Sequence, residues 1–221
     1  MEYRKLHPWN VSIEEAADIQ RALRYRISLA DAFDELRLVA GVDIGVPRGS
    51  NEGRAAAVVL SYAGFQLVEV RRAVRTLRMP YIPGYLSFRE TPIALDAFEQ
   101  IENIPDLILV DGHGIAHPRG LGIASHLGLL LDTPTVGCAK SRLIGTYTEP
   151  PLEEGSVTSL LDNDGRQIGN VVRTRTGVKP VFVSPGHKIS FESAVEVVLR
   201  CVAGYRLPEP IRAAHRLAKV I

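Results

Sequence analysis

Short apolar runs bounded by turn residues alternate along this chain with a few stretches of helical periodicity. Residues 12–27 place apolar side chains at helical spacing, and Ser12 with Glu15 fits a capping box, so a helix is predicted there. "RLVAGVDIGV" (37–46), "RAAAVVLSY" (54–62) and "FQLVEVRRAVRT" (65–76) read as strands. The tight Ala63-Gly64 link makes the last two a hairpin. "RMPYIPGYLSFRE" (78–90) is rich in Pro and Gly and reads as a loop. A helix follows to about Glu102, with Pro92 tolerated in its first turn.

"DLILVDG" (106–112) is a nearly unbroken apolar run, the pattern of a central strand buried on both faces. Residues 121–131 are helical in pattern, and "TPTVGCAK" is a further buried strand. "GSVTSLL" and "QIGNVVRTR" flank the turn signal Asp162-Asn163-Asp164-Gly165, and "PVFVS" is a short strand. Ser190 caps a helix running to about Val202, and Pro208 opens a final helix to the C-terminus. The order is a three-strand antiparallel meander, then helix, strand, helix, strand. That order predicts an α/β fold, a mixed sheet of meander plus parallel strands flanked by helices, decorated by an N-terminal helix and C-terminal additions. Without repeats or linkers, 1–221 reads as one domain.

Composition narrows the possibilities only modestly. A net charge of +1 gives no global field for nucleic acid, so any such binding rests on local patches. Cys138 and Cys201 sit in apolar surroundings and read as buried thiols of a reducing compartment. The polar start "MEYRKLHPWN" is no signal peptide, and no apolar run spans a bilayer, since Asp132 and Pro134 break "LGLLLDTPTVG". The expected location is the cytoplasm, with no membrane partner.

Three carboxylates carry the candidate chemistry. Asp43 lies between "VAGV" and "IGV", where an ionised acid is costly unless paired or metal-bound. Read alone, it is equally a buried acid satisfied by backbone donors or an Arg. Asp111 ends a buried strand, where α/β sheets place ligands, or else caps the turn that follows. Glu90 could form a capping box with Ser87. Taken together, the three positions converge at one end of the predicted sheet. Converging carboxylates repel unless a cation sits among them, and an all-oxygen set suits Mg²⁺ or Mn²⁺. Such a site serves in-line displacement at phosphorus. The constellation resembles that of ribonuclease H-like nucleases.

The likeness is closer at the level of motifs. "VAGVDIGV", "PYIPGYLSFRE", "LILVDGHGIAHPRGLGIASHLG", "VGCAKSRL" and "PEPIRAAHRLA" occur in the order, and over nearly the whole length, in which the endonuclease V family carries them. The chain resembles that family, the deoxyinosine 3′ endonucleases of DNA repair. The resemblance implies a ribonuclease H-like fold and Mg²⁺-dependent nicking, with Mn²⁺ as a substitute. It implies a cut at the second phosphodiester bond 3′ to a deaminated base, leaving a 3′-OH and a 5′-phosphate. The sequence gives no oligomeric state, and a monomer is the default expectation.

Carried over residue by residue, the resemblance makes Asp43, Glu90 and Asp111 the metal centre and adds Lys140 and His215 as catalytic residues. By its own surroundings, His215 is a surface histidine on a helix face with Arg212, Arg216 and Lys219, and Lys140 a solvated residue after a strand. Leu86, Gly112 and Ile123 match the base pocket, where Gly112 and Gly114 let backbone groups approach a base taken out of the stack. Tyr81, Ile82 and Pro83 form a stiff apolar projection and match the strand-separating wedge. His117 and Arg119, charged donors in a Gly-rich loop, are phosphate-contact candidates. The arginines of "RRAVRTLR" (71–78) suggest a DNA-backbone path into the wedge. Three other readings stay open: an endoribonuclease acting at inosine in RNA, a silent binder of flipped bases, and another ribonuclease H-like nuclease. The intact carboxylate set opposes the second, and the wedge motif opposes the third.

Overall fold

The computed structural model describes residues 1–47 and 49–218. Its frame is one eight-stranded sheet built from β1 (Leu38–Gly45), β2 (Glu52–Ser61), β3 (Leu67–Thr76), β4 (Leu107–Val110), β5 (Thr135–Ala139), β6 (Val157–Leu161), β7 (Gln167–Val172) and β8 (Val181–His187). The spatial order is β3-β2-β1-β4-β5-β8-β7-β6. β1, β2 and β3 form the expected antiparallel meander, and β4 and β5 join it in parallel, so the predicted α/β mixed sheet is the one observed. The C-terminal strands do more than decorate it. β8 pairs antiparallel with β5 and carries the β6–β7 hairpin, which extends the same sheet by three strands.

Alternation along β1 explains the two-sided packing. Ala40 and Val42 face a core shared with α2 (Leu86–Phe98) and α3 (Ile123–Leu131). Val39, one position out of phase, faces a second core shared with α4 (Phe191–Arg200) and α5 (Glu209–Ala218). Ser12 forms the expected capping box at the start of α1 (Ile13–Leu23), and the Ser190 hydroxyl accepts from the Ser193 N–H to cap α4. The expected run of the last helix to the chain end, with Lys219 on its basic face, falls partly outside the described residues. Both cysteines are buried free thiols. His126 belongs to α3. It is fully buried and meets His7 Nε2 through its own Nε2 at 2.7 Å, beside Trp9 and Phe88.

Two corrections concern α2. It starts at Leu86, inside the stretch expected to be loop, and it ends at Phe98 rather than near Glu102. Tyr85 precedes it without a side-chain cap, Ser87 is buried, and Pro92 lies in the helix interior, so the Ser87–Glu90 capping box does not form. Glu90 is instead a residue of the helix body.

The far end of α2 is tied to the sheet by Glu69 of β3. Its buried carboxylate accepts from the Asn103 N–H at 2.8 Å, Asn103 Nδ2 at 2.9 Å and the Glu102 N–H at 3.2 Å, and pairs with Arg71 Nε at 2.8 Å. Burial raises its pKa, but these donors outweigh burial and hold it below the ordinary value. Its contribution to stability is therefore complete at neutral pH and is lost as pH falls through that lowered value. Glu69→Gln is expected to cost about 1.5–3 kcal/mol in a urea titration at pH 7, and to cost less in acid. Equal costs at both pH values would contradict the assignment.

Candidate active site

Three local geometries bring the carboxylates to one end of the sheet. In the parallel register Val42 lies opposite Val110, so Asp43 and Asp111 are each one residue beyond the last paired positions of adjacent strands. Glu90 approaches from the first turns of α2. Burial raises the Asp43 pKa, and Asp111 adds to the rise while His215 and Lys140 oppose it. Glu90 is pushed up to about 7, chiefly by burial and further by Asp43 and Asp111, against the pull of Arg89. The three groups thus feel one another's charge.

Two side chains from elsewhere in the fold lie against these acids. Lys140, directly after β5, pairs with Asp111 Oδ2. His215 of α5 lies with Nδ1 3.1 Å from Asp43 Oδ2. Since an ionised carboxylate only accepts, Nδ1 carries the hydrogen and Nε2 keeps its lone pair. His215 is therefore more than a surface histidine, and the reason lies in β1. A Cβ on Gly41 would stand 2.0 Å from the Pro210 carbonyl oxygen, so only glycine lets the start of α5 rest on the strand. Gly41 and Asp43 share a strand face, and that contact sets the helix whose later turn carries His215.

The carboxylate set is made of hard oxygen donors and fits a hard divalent cation such as Mg²⁺. As they stand, these groups are an open cluster held by Lys140 and His215. Among the described residues no three His, Cys, Asp or Glu side chains are placed together as they would have to be to hold a metal ion.

Beside the cluster lies a cavity of about 330 Å³, in the size range of small-ligand sites. Leu86, Gly112 and Ile123 line it together, as expected, with Tyr81 and Pro83 at its wall and Asp111 and Lys140 on the side of the carboxylates. A Cβ on Gly112 would meet Ile123 Cγ2 at 2.6 Å. Gly114 differs from expectation. Its Cβ position is filled by the Pro185 carbonyl oxygen at 2.0 Å and its N–H donates to Ser184 Oγ at 2.8 Å, so it packs on β8 and offers nothing to a base. His113 lines the same cavity, and its Nδ1 is buried with no hydrogen-bond partner among the described residues.

The wedge residues separate. Tyr81 is 67% exposed, and Pro83 is exposed beside it. Ile82 is half-buried and lines a different cavity, with Trp9, Met79 and Phe88. Ile82 anchors the loop while Tyr81 projects.

The expected phosphate contacts are otherwise engaged. His117 is buried, with Nε2 3.0 Å from the Gly84 carbonyl oxygen, and Arg119 donates to that same oxygen at 2.6 Å and lies over the Tyr85 ring. Both serve the protein's own loop rather than facing a free phosphate. Much of the expected backbone path on β3 is likewise matched by acids, since Arg71 pairs with Glu69 and Glu102 and Arg75 with Asp96.

An α/β mixed sheet with acids at one end, beside a cavity, is the layout of a ribonuclease H-like nuclease. The family model for endonuclease V matches residues 21–216. Endonuclease V of Dehalococcoides mccartyi is 53% identical over 97% of this chain and 96% of its own length. The crystal structure of Streptomyces avermitilis endonuclease V superposes with a TM-score of 0.91 at 39% identity, covering 96% of this chain and 93% of that one. Ciona intestinalis endonuclease V, solved in complex with a 24mer DNA containing an inosine followed by a ribo-adenosine, gives a TM-score of 0.83 at 30% identity, over 94% and 96% of the two chains. The chain belongs to the endonuclease V family and is a nuclease.

Proposed function

We propose that this protein is a DNA-repair endonuclease that takes hypoxanthine out of the stack and nicks the same strand at the second phosphodiester bond on its 3′ side. One observation carries the reading: Asp111 and Lys140 are at once members of the carboxylate cluster and walls of the cavity lined by Leu86, Gly112 and Ile123. A base held in that cavity leaves its own strand beside the acids. Hypoxanthine presents an O6 acceptor and an N1–H donor where adenine presents the reverse, and backbone groups around Gly112 can tell these apart. Tyr81 fills the gap that the base leaves.

Asp43, Glu90 and Asp111 would hold Mg²⁺, or Mn²⁺ in its place, and the ion would activate water and steady charge on the phosphoryl group. The remaining steps belong to side chains. His215 holds its Nδ1 hydrogen on Asp43 and presents Nε2 to take a proton from the attacking water. Lys140 turns its ammonium from Asp111 toward the phosphate as negative charge builds there. As the water oxygen bonds to phosphorus the P–O3′ bond breaks, and the leaving 3′ oxygen takes a proton from solvent water, giving a 3′-OH and a 5′-phosphate. The chain acts as one domain and one monomer in the cytoplasm, and among the described residues no helix is long and apolar enough to cross a membrane.

The test is incubation with Mg²⁺ and a labelled duplex carrying one deoxyinosine, beside the same duplex with deoxyadenosine. Cutting of the inosine strand alone is expected. Equal cutting of both would remove the base-reading role of the cavity. A second reading, cutting at inosine in RNA, has one observation in its favour: the Ciona relative was solved with a ribonucleotide directly after the inosine. The same assay on an RNA strand separates the two.

A further inference from the structure

The loop that carries Tyr81 ends at one crowded carbonyl. The Gly84 oxygen receives Arg119 Nη2 at 2.6 Å, His117 Nε2 at 3.0 Å and Gln20 Nε2 at 3.1 Å. Gln20 belongs to α1, far away in the chain, and is fully buried. Its amide is satisfied at both ends: Nε2 also donates to the Leu121 carbonyl at 3.3 Å, while Oε1 accepts from Arg119 Nε. The Arg119 N–H donates to His117 Nδ1 at 3.2 Å, so the His117 hydrogen sits on Nε2 and points at Gly84. Burial, with Arg119 beside it, drives the His117 pKa down to about 4, which keeps that ring neutral near pH 7. Gly84 itself has φ +81°, and a Cβ there would meet Arg119 Nη2 at 2.9 Å. The other end of the loop is held by Arg89, which donates to the Met79 carbonyl at 2.7 Å.

Three donors on one carbonyl, one of them a buried glutamine from a separate helix, exceed what a surface turn needs. Buried amides are costly unless satisfied, and α1 is otherwise a simple amphipathic helix. We propose that Gln20, directly and through Arg119, is a positioning residue that holds the Tyr81 loop rigid, so that it can enter a duplex and separate its strands. The inference rests on the wedge reading above and assigns α1 a part in it. A rigid loop matters where paired strands must be opened. It matters little where the inosine strand is already single.

The experiment compares single-turnover cutting of deoxyinosine in a duplex and in the same strand alone, with Mg²⁺. In Gln20→Met, duplex cutting is expected to fall by about tenfold to a hundredfold, the scale of a misplaced positioning group, while single-strand cutting stays within about twofold of the parent. Arg119→Lys, which keeps the charge and loses the fork, is expected to show the same split. Placed on Tyr81→Ala, Gln20→Met is expected to add little further loss on the duplex, because both act through one loop. Equal losses on the two substrates in both variants, or multiplied losses in the double variant, would overturn the proposal. So would unchanged duplex cutting. Failure of the parent protein to cut either inosine substrate would instead overturn the function on which the proposal rests.

Discussion

Asp43→Ala is expected to lower the rate of strand cutting by at least about 10³-fold, the scale seen when a central catalytic group is removed. Affinity for an inosine strand should stay near that of the parent, because the cavity walls do not include Asp43. The change removes one of three mutually repelling acids and frees His215 from its partner. Asp43→Asn keeps the shape and a hydrogen-bond acceptor but loses the charge. Equal loss in both variants would identify the charge as the essential property. The readouts are single-turnover cutting and a mobility-shift titration. Cutting within tenfold of the parent would place the reacting phosphate elsewhere, and a parallel loss of binding would deny the separation of cavity from acids.

The second large effect comes from a residue with no side chain. Gly41→Ala would set a methyl group 2.0 Å from the Pro210 carbonyl oxygen and 2.9 Å from the Ile211 nitrogen, which are backbone atoms that cannot swing aside. Either β1 or α5 must move. The expected cost is about 1–3 kcal/mol in stability. Because α5 carries His215, cutting is expected to fall by about tenfold to a hundredfold even where the variant is folded. Gly45→Ala, four residues along the same strand, has nothing within 4 Å of the new methyl and serves as the control. A Gly41 variant that melts and cuts like the Gly45 variant would contradict the account of how His215 reaches Asp43.

Much of this was legible in the sequence where the periodicity was strong. The meander, the two buried parallel strands and the Asp162–Gly165 hairpin follow from alternation, unbroken apolar runs and turn residues, and each stands where it was expected. The start of α2 was not legible. Pro83 and Gly84 signal a loop, and Ser87 with Glu90 imitates a cap, whereas tertiary packing buries Ser87 and continues the helix around it. The placement of Asp43 and Asp111 at the ends of neighbouring strands followed from topology alone. The occupations of His117 and Arg119 did not, since a charged donor in a Gly-rich loop reads the same whether it meets a phosphate or the Gly84 carbonyl.

Two further residues left faint signals. Gln20 interrupts the stripe of Ala16, Ala17 and Leu23 on the buried face of α1, and a polar residue on such a stripe needs partners. Gly41 sits within a strand, where a missing side chain marks the close approach of another backbone. In both cases the partner lies far off in the chain, and only the fold names it.

The most direct measurement is the position of the nick. A duplex carrying a single deoxyinosine, labelled at the 5′ end and incubated with Mg²⁺, is resolved to single nucleotides beside its Asp43→Ala control. The account predicts a single product ending one nucleotide 3′ of the inosine, absent from the control. A cut at the bond next to the inosine, on its 5′ side, or at positions indifferent to it would contradict the placement of the acids relative to the base cavity.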